Sequence, residues 1–340
     1  MNRLGVITNP NSKKNRHQHN RAEKLQRIVG DRGTVVQTAC VEEIGPALDR
    51  FDQEGVDCWV SDGGDGAFHW LINTALRERP GALPLVLPAN GGTIDFVAKK
   101  AGIRGQCEDI LRELSAVCGG ARAFPVVHVG SLVLEGTMAS GAPFRRYGFA
   151  CAAGGIGQRF FDKYYEHLRP GPVTILRVVG RAVGSLVLWK LGAAHVDPRA
   201  GRYAREIFRP TQAEVRIDGE KVPSTTHGAI HAGAINVNLG GVFQVFPLAR
   251  QDGRLHFQAG TITPLEMVKN LPNLWRGERI ASRGLVETAG TLMTIAAASP
   301  EDLSPVLDGE IFSGLRELSI RVGPTFPIPA VRPRAGGIPE

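Results

Sequence analysis

The stretch Val56-Asp57-Cys58-Trp59-Val60-Ser61, closed by Gly63-Gly64-Asp65-Gly66 and followed by Ala67-Phe68-His69-Trp70-Leu71-Ile72-Asn73, decides the reading of this chain. Its first part has the apolar texture of a strand. Its last part opens a helix with Phe68, Leu71, Ile72, Ala75 and Leu76 on one face. Three glycines in four positions let backbone N–H groups turn toward one point, and the helix start behind them adds positive potential. A polyphosphate suits such a corner. Asp65, its lone acid, suits a magnesium ion bridging phosphates, or a hydroxyl awaiting attack. Gly-Gly-Asp-Gly alone is also an ordinary tight turn; its place between strand and helix favours the nucleotide.

Outward from this loop, strand-like runs recur at Arg3–Thr8, Thr34–Thr38 and Leu83–Leu87, with helical spacing between them. Such repeats build βαβ units and a largely parallel sheet, whose ligands collect at the carboxyl ends of the strands. Asn9-Pro10, Thr38, Gly63–Gly66 and Pro88–Asp95 each follow a strand, so four polar or glycine-rich loops are expected on one edge. From Phe124 the texture changes to short alternating runs: Val126–Val133, Arg145–Cys151, Ala213–Ile217, Ala229–Asn238, Leu255–Gln258, Leu292–Ala297 and Glu317–Val322. Turn residues separate them, as in an antiparallel β domain.

The expected architecture is an α/β domain with a largely parallel sheet over 1–125, an antiparallel β-sandwich over 126–325 and a Pro/Gly-rich, poorly ordered tail over 326–340. One helical insertion, Val173–Leu191, carries Leu176, Val179, Val183, Leu186, Val187 and Trp189 beside Arg177, Arg181 and Lys190. It either packs across the β domain or lies on an anionic bilayer.

At 340 residues the chain has room for two ordinary cores. Forty Lys and Arg against 33 Asp and Glu give a net charge of +7, which suits an anionic ligand or an anionic membrane surface. No zinc, helix-turn-helix or aromatic-plus-basic pattern accompanies that charge, so no nucleic-acid partner is expected. Five scattered cysteines without metal spacing point to a reducing compartment. The N-terminus enters a strand rather than a signal peptide, and no uninterrupted apolar stretch reaches the length of a membrane span. A cytoplasmic, peripherally membrane-associated protein is expected, with a homodimer left open. The histidines show no ligand spacing, and His69 and His128 are assigned to packing or surface.

Five segments, taken in order, add a second line of reasoning. They are Asn9-Pro10-Asn11-Ser12; Gly63-Gly64-Asp65-Gly66-Ala67; Pro88 through Gly91-Gly92-Thr93-Ile94-Asp95-Phe96; Asn236 through Gly240-Gly241, Pro247-Leu248-Ala249 and Asp252-Gly253-Arg254-Leu255; and Asp308-Gly309-Glu310. Their order and spacing resemble the diacylglycerol kinase catalytic-domain family, which includes bacterial lipid kinases, sphingosine kinases and ceramide kinases. Departures are Lys13 for a glycine, Ala67 for a threonine, Ile94 and Cys151 for asparagines, Ala98 for an arginine and His128 for an aspartate. They put the metal geometry and the phosphoryl donor in question.

The resemblance implies an ATP- and Mg2+-dependent kinase acting on a lipid hydroxyl at an anionic membrane surface. Diacylglycerol is the default acceptor and a sphingoid base or ceramide the rival. An NAD-kinase-like enzyme and a non-catalytic lipid- or nucleotide-binding relative remain alternatives. The nucleotide residues implied are Asn9, Thr38, Gly63, Gly64, Asp65, Gly66, Ala67, Gly92 and Thr93. Glu310 is implied as the proton acceptor, with Asp308 orienting it or coordinating metal, and Asp65 stands as the alternative base. Asp252 with the carbonyls of Ala249 and Arg254 forms either a magnesium site or a hairpin turn. Asp95 either meets substrate or metal, or braces its own helix. Asp218-Gly219-Glu220 repeats the C-terminal tripeptide and reads as an ordinary hairpin turn.

Overall fold

The computed structural model describes all residues except 82, 93, 121–123, 169, 193–196, 198, 200, 240, 251–252, 300–302 and 333–340. The chain divides into two compact units, Met1–Val129 with Thr325–Glu340, and Gly130–Pro324.

In the first unit, β1 (Leu4–Thr8), α1 (Arg21–Val29), β2 (Gly33–Gln37), α2 (Ile44–Gln53), β3 (Cys58–Asp62), α3 (Asp65–Glu78), β4 (Leu85–Pro88), α4 (Phe96–Lys100) and α5 (Cys107–Val117) follow one another. The four strands are parallel in the order β2-β1-β3-β4. Every residue of β1 and of β3 is buried, the unbroken burial expected of central strands covered on both faces. From β1 the order runs outward to β2 on one side and to β3 and β4 on the other. The switch point lies between β1 and β3, where ligands of open α/β sheets bind.

The expected tail is corrected by the last strand, which continues to Pro329. Phe326, Ile328 and Val331 are buried, and the Ala330 N–H donates to the Pro125 carbonyl. Prolines spaced along this segment leave enough backbone donors for it to pair, and its alternate apolar residues fill the first unit's core.

The second unit is built on β5 (Val126–Met138), β6 (Pro143–Gly148), β7 (Ala150–Gly155), β8 (Thr211–Ile217), β9 (Glu220–Lys221), β10 (Thr226–His227), β11 (Ala229–Gly233), β12 (Asn238–Leu239), β13 (Phe243–Gln244), β14 (Leu255–Gly260), β15 (Leu285–Gly290), β16 (Leu292–Ala297), β17 (Val306–Leu307), β18 (Glu310–Ile311) and β19 (Leu315–Pro329). One sheet runs β10-β8-β16-β19-β5-β6 with β9 beside β8, and the other runs β15-β14-β11-β7-β17-β18. Between them Leu132, Leu134, Phe144, Val215, Ile230, Phe257, Met293 and Ile320 form one core, the two inner faces of an antiparallel sandwich.

Helices α6 (Ile156–Tyr165), α7 (Pro172–Lys190) and α8 (Arg202–Ile207) are inserted between β7 and β8, and α9 (Pro264–Lys269) and α10 (Leu271–Arg276) between β14 and β15. The α7 helix starts at Pro172, where a proline lacks no needed donor, and the Thr174 hydroxyl accepts from the Gly171 N–H. Its stripe of Ile175, Val178, Ala182 and Leu186 is buried, with Val178 and Ala182 packed against Ile207 and Tyr203 of α8. Its other side leaves Val173 69%, Leu176 50%, Val187 50% and Leu188 51% exposed. Among the described residues it is the one helix long and apolar enough to cross a membrane by length and composition. The packed stripe agrees with the reading in which this segment packs onto the second unit.

Candidate functional site

The parallel sheet brings the four loops to one edge, and hydrogen bonds tie them together. The Asn9 N–H donates to the Asp62 carbonyl at 3.2 Å, the Asn11 side-chain amide to the Ala39 carbonyl at 3.0 Å, and the Gly91 N–H to the Gly63 carbonyl at 2.9 Å. Lys14 reaches from the first loop to the Asn90 carbonyl and lies 3.7 Å from an Asp95 oxygen.

The glycines are needed here for close approach. None of Gly63, Gly64, Gly91 and Gly92 has a positive φ. A Cβ on Gly64 would fall 2.7 Å from the Gly92 Cα, and one on Gly92 would fall 2.5 Å from the Gly64 Cα and 2.8 Å from the Asp95 Oδ1. One on Gly91 would fall 2.6 Å from the Gly63 carbonyl oxygen. The two Gly-Gly pairs thus interlock backbone to backbone at the N-terminus of α3, where the first N–H groups of a helix have no partner within the helix. Gly92→Ala is expected to push the loops apart, because the nearest obstructing atom is the Gly64 backbone Cα. Affinity for the polyphosphate expected at this corner, measured with ATP by calorimetry, should fall about tenfold or more while far-UV circular dichroism stays native.

The predicted residues occupy distinct places around this corner. Asp65 is half-buried in the first turn of α3, with one oxygen 3.5 Å from the Val97 N–H. Gly66 and the half-buried Ala67 follow it in that turn. Asn9 shapes its own loop, its Oδ1 accepting from the Asn11 N–H at 2.8 Å. Thr38 is buried, and its N–H extends the sheet by donating to the Thr8 carbonyl. Asp95 sits in the left-handed region (φ 51°) and accepts the Gly92 N–H at 2.8 Å, so it braces the glycine loop. Burial pushes its carboxyl up, against the pull of that N–H and of Lys14 and Lys99. Thr93 lies outside the described residues. His69 is buried and His128 exposed, as assigned from sequence.

Beneath the loops lies a polar cluster that sequence reasoning missed. Asp62, at 0% exposure, accepts from the Arg21 Nε at 2.6 Å and Nη2 at 2.7 Å, from the Thr8 hydroxyl at 2.6 Å and from the Asn15 amide at 3.2 Å. Arg21 also donates to Glu108 at 3.1 Å, which takes Lys24 at 2.8 Å. The available signal was an acid at the buried end of a strand, which demands a cation.

Burial alone would push the Glu108 carboxyl up, but Lys24, then Arg21, overcome it and hold it at about 2. A depressed folded pKa stabilises above the unfolded value of 4.5, and that stability is lost as pH falls toward 2. The drop in Tm between pH 5 and pH 3 should therefore be shallower in Glu108→Gln than in the unaltered chain.

In the second unit, Glu310 is half-buried on β18, paired with Leu307 of β17. Asp308 is buried in the turn between these strands, and its Oδ1 accepts the N–H groups of Phe149 and Ala150, both at 2.9 Å. Of the magnesium donors named from sequence, Asp252 lies outside the described residues, Ala249 is buried, and the Arg254 guanidinium donates to the Ala289 carbonyl. No three His, Cys, Asp or Glu gather as a metal site among the described residues.

With this geometry established, comparison with known proteins is informative. Residues 3–129 match the family model of the diacylglycerol kinase catalytic domain. Two solved structures from Bacillus anthracis str. Sterne, each described as a candidate diacylglycerol kinase, share the fold over 96% of this chain and 96% of theirs. Their TM-scores are 0.62 and 0.65, at 13% and 14% identity. A third, described as a diacylglycerol kinase of the same organism, covers 96% of each chain with TM-score 0.57 and 12% identity. No curated protein matches the sequence. Residues 3–129 are thus similar to the catalytic domain of the diacylglycerol kinase family, and the whole chain shares the fold of those solved structures.

Proposed function

We propose that the protein transfers the γ-phosphoryl group of ATP to a lipid hydroxyl, with diacylglycerol as the acceptor. The observation that carries this reading is the pair of interlocked glycine loops at the start of α3, inside the segment that matches the kinase family. Backbone N–H groups of Gly63, Gly64 and Gly66 hold the polyphosphate, aided by the positive end of the helix. Magnesium would arrive with ATP, neutralising charge on the transferring group, and Asp65 is the carboxylate that would hold it. Glu310 accepts the acceptor hydroxyl proton as the new oxygen–phosphorus bond forms and ADP leaves.

The partner surface in this reading is an anionic bilayer met by α7. Its exposed Val173, Leu176, Val187 and Leu188 lie among Arg177, Arg181 and Lys190, a pairing of apolar burial with charge attraction suited to the interface plane.

The test is γ-labelled ATP offered with vesicles containing diacylglycerol, ceramide or a sphingoid base, and separately with NAD. A labelled organic-phase product from diacylglycerol supports the proposal. Label on ceramide or the sphingoid base alone moves the acceptor, and a labelled dinucleotide or no product overturns lipid phosphorylation. Val187→Asp with Leu188→Asp should abolish sedimentation with anionic vesicles while ATP binding stays intact.

A further inference from the structure

Strands β1 and β3 diverge at the switch point of the first sheet. Thr8 pairs with Asp62, and the Asn9 N–H adds one last rung by donating to the Asp62 carbonyl at 3.2 Å. From there β1 runs into the loop over 9–20 and β3 into the glycine corner. Asn15, at 3% exposure, bridges the two. Its amide nitrogen donates to the Asn9 carbonyl at 2.9 Å, to the Asp62 carbonyl at 3.0 Å and to the Asp62 Oδ2 at 3.2 Å. Two hydrogens thus serve three oxygens on two segments of the chain. The Asn15 backbone is held in the turns of its own loop, its N–H donating to the Ser12 carbonyl at 2.9 Å and its carbonyl accepting the Gln18 N–H at 2.8 Å. Its Oδ1 is buried and accepts no hydrogen bond among the described residues. A buried amide oxygen left so is destabilising, and what the site draws from Asn15 is the nitrogen.

We infer that Asn15 is a positioning residue for the polyphosphate: its amide supplies the rung that the diverging strands lack, and so sets the spacing between the loop after β1 and the glycine corner. This inference rests on the reading of that corner as the polyphosphate site. Gly63 follows Asp62 directly, and the Ser12 hydroxyl oxygen lies 3.0 Å from where a Gly63 Cβ would stand, so the first loop rests on the corner itself. Lys14, next to Asn15, ties the same loop to the Asn90 carbonyl. Successive side chains thus stitch one loop to both glycine pairs. The Asn15 tie can be removed without stranding its acceptors. The Asn9 carbonyl still accepts the Ser12 N–H at 3.2 Å, the Asp62 carbonyl still accepts the Asn9 N–H, and the Asp62 carboxylate keeps Arg21 and Thr8. Loss of the amide should therefore disturb the corner more than the fold.

The experiment compares the unaltered full chain with Asn15→Ala and Asn15→Leu, using inorganic tripolyphosphate and ATP as calorimetric probes in the presence of magnesium. Kinetics with ATP and diacylglycerol vesicles, thermal melts and amide hydrogen exchange accompany them. Both variants should bind tripolyphosphate and ATP about tenfold more weakly, with KM for ATP raised in step and kcat at saturating ATP within about twofold. Tm should move by less than about 3 °C. Exchange should quicken at the Asn9 and Gly91 amides and stay unchanged in the core strands. More magnesium should not restore the affinity; restoration would make Asn15 a metal ligand and overturn the inference. Variants that bind tripolyphosphate as the unaltered chain does overturn it, and so does a larger fall in Tm with exchange quickened throughout the first unit. Should Asn15→Ala fail to fold, Asn15→Leu decides alone, its methyl groups filling the space of the amide. An unaltered chain that binds neither probe overturns the polyphosphate reading and the inference with it. Tripolyphosphate binding that the variants lose, in a chain that phosphorylates no lipid, supports the inference while the lipid reaction falls, because this probe needs no acceptor.

Discussion

Glu310→Gln is expected to lower kcat by about a thousandfold, within the range for loss of a positioned general base. ATP affinity should stay within about twofold, because nucleotide contacts are assigned to the other unit. Glutamine matches glutamate in size and keeps the backbone pairing of residue 310 with Leu307, so the hairpin survives the change. It cannot take up the hydroxyl proton. Initial rates with labelled ATP and diacylglycerol vesicles, together with calorimetric ATP binding, separate the two effects. A variant that keeps the unaltered rate would pass the role of base to Asp65.

Asp62→Ala is the second large effect, and it acts on stability. It leaves the Arg21 guanidinium, at 6% exposure, without its main partner. A buried charge left with Glu108 as its remaining acidic partner costs up to about 3–5 kcal/mol, which lowers Tm by up to roughly 10 °C in a chain of this size. The Thr8 hydroxyl and the Asn15 amide lose the same acceptor, so the loop after β1 loosens. Replacing both partners, Asp62→Leu with Arg21→Met, should recover much of the loss, since the apolar pair leaves no stranded charge. Thermal melts by circular dichroism check both variants. A single-variant shift below about 2 °C would show that the pair does not hold the loop.

How far these residues could be read from the chain depended on how local their cause is. The four strands of the first unit lie within two residues of their expected ends, because apolar runs between turn residues are written into consecutive positions. The glycine corner was legible for the same reason, though one of its causes was not. The glycines answer to another loop almost thirty residues away, and no local rule discloses that contact. The Arg21–Asp62 pair spans 41 residues and leaves no periodic trace. Strand β15, Leu-Val-Glu-Thr-Ala-Gly, escaped notice because its Glu287 is buried and accepts the Ile280 N–H at 2.7 Å, which blurs the alternation. Asp308 and Asp218 show the same limit from the other side. Their tripeptides are identical, yet one was read as chemistry and the other as a turn, and the backbone treats them alike.

The passage of the last strand back into the first unit has a consequence for biosynthesis. The first unit lacks Phe326, Ile328 and Val331 until synthesis has passed the whole of the second. The unit begun before the sandwich is therefore completed after it, and the inserted sandwich can mature before the portion that surrounds it in sequence. Nascent chains stalled before Thr325 would carry a gap where those three side chains belong, a natural target for chaperones and proteases.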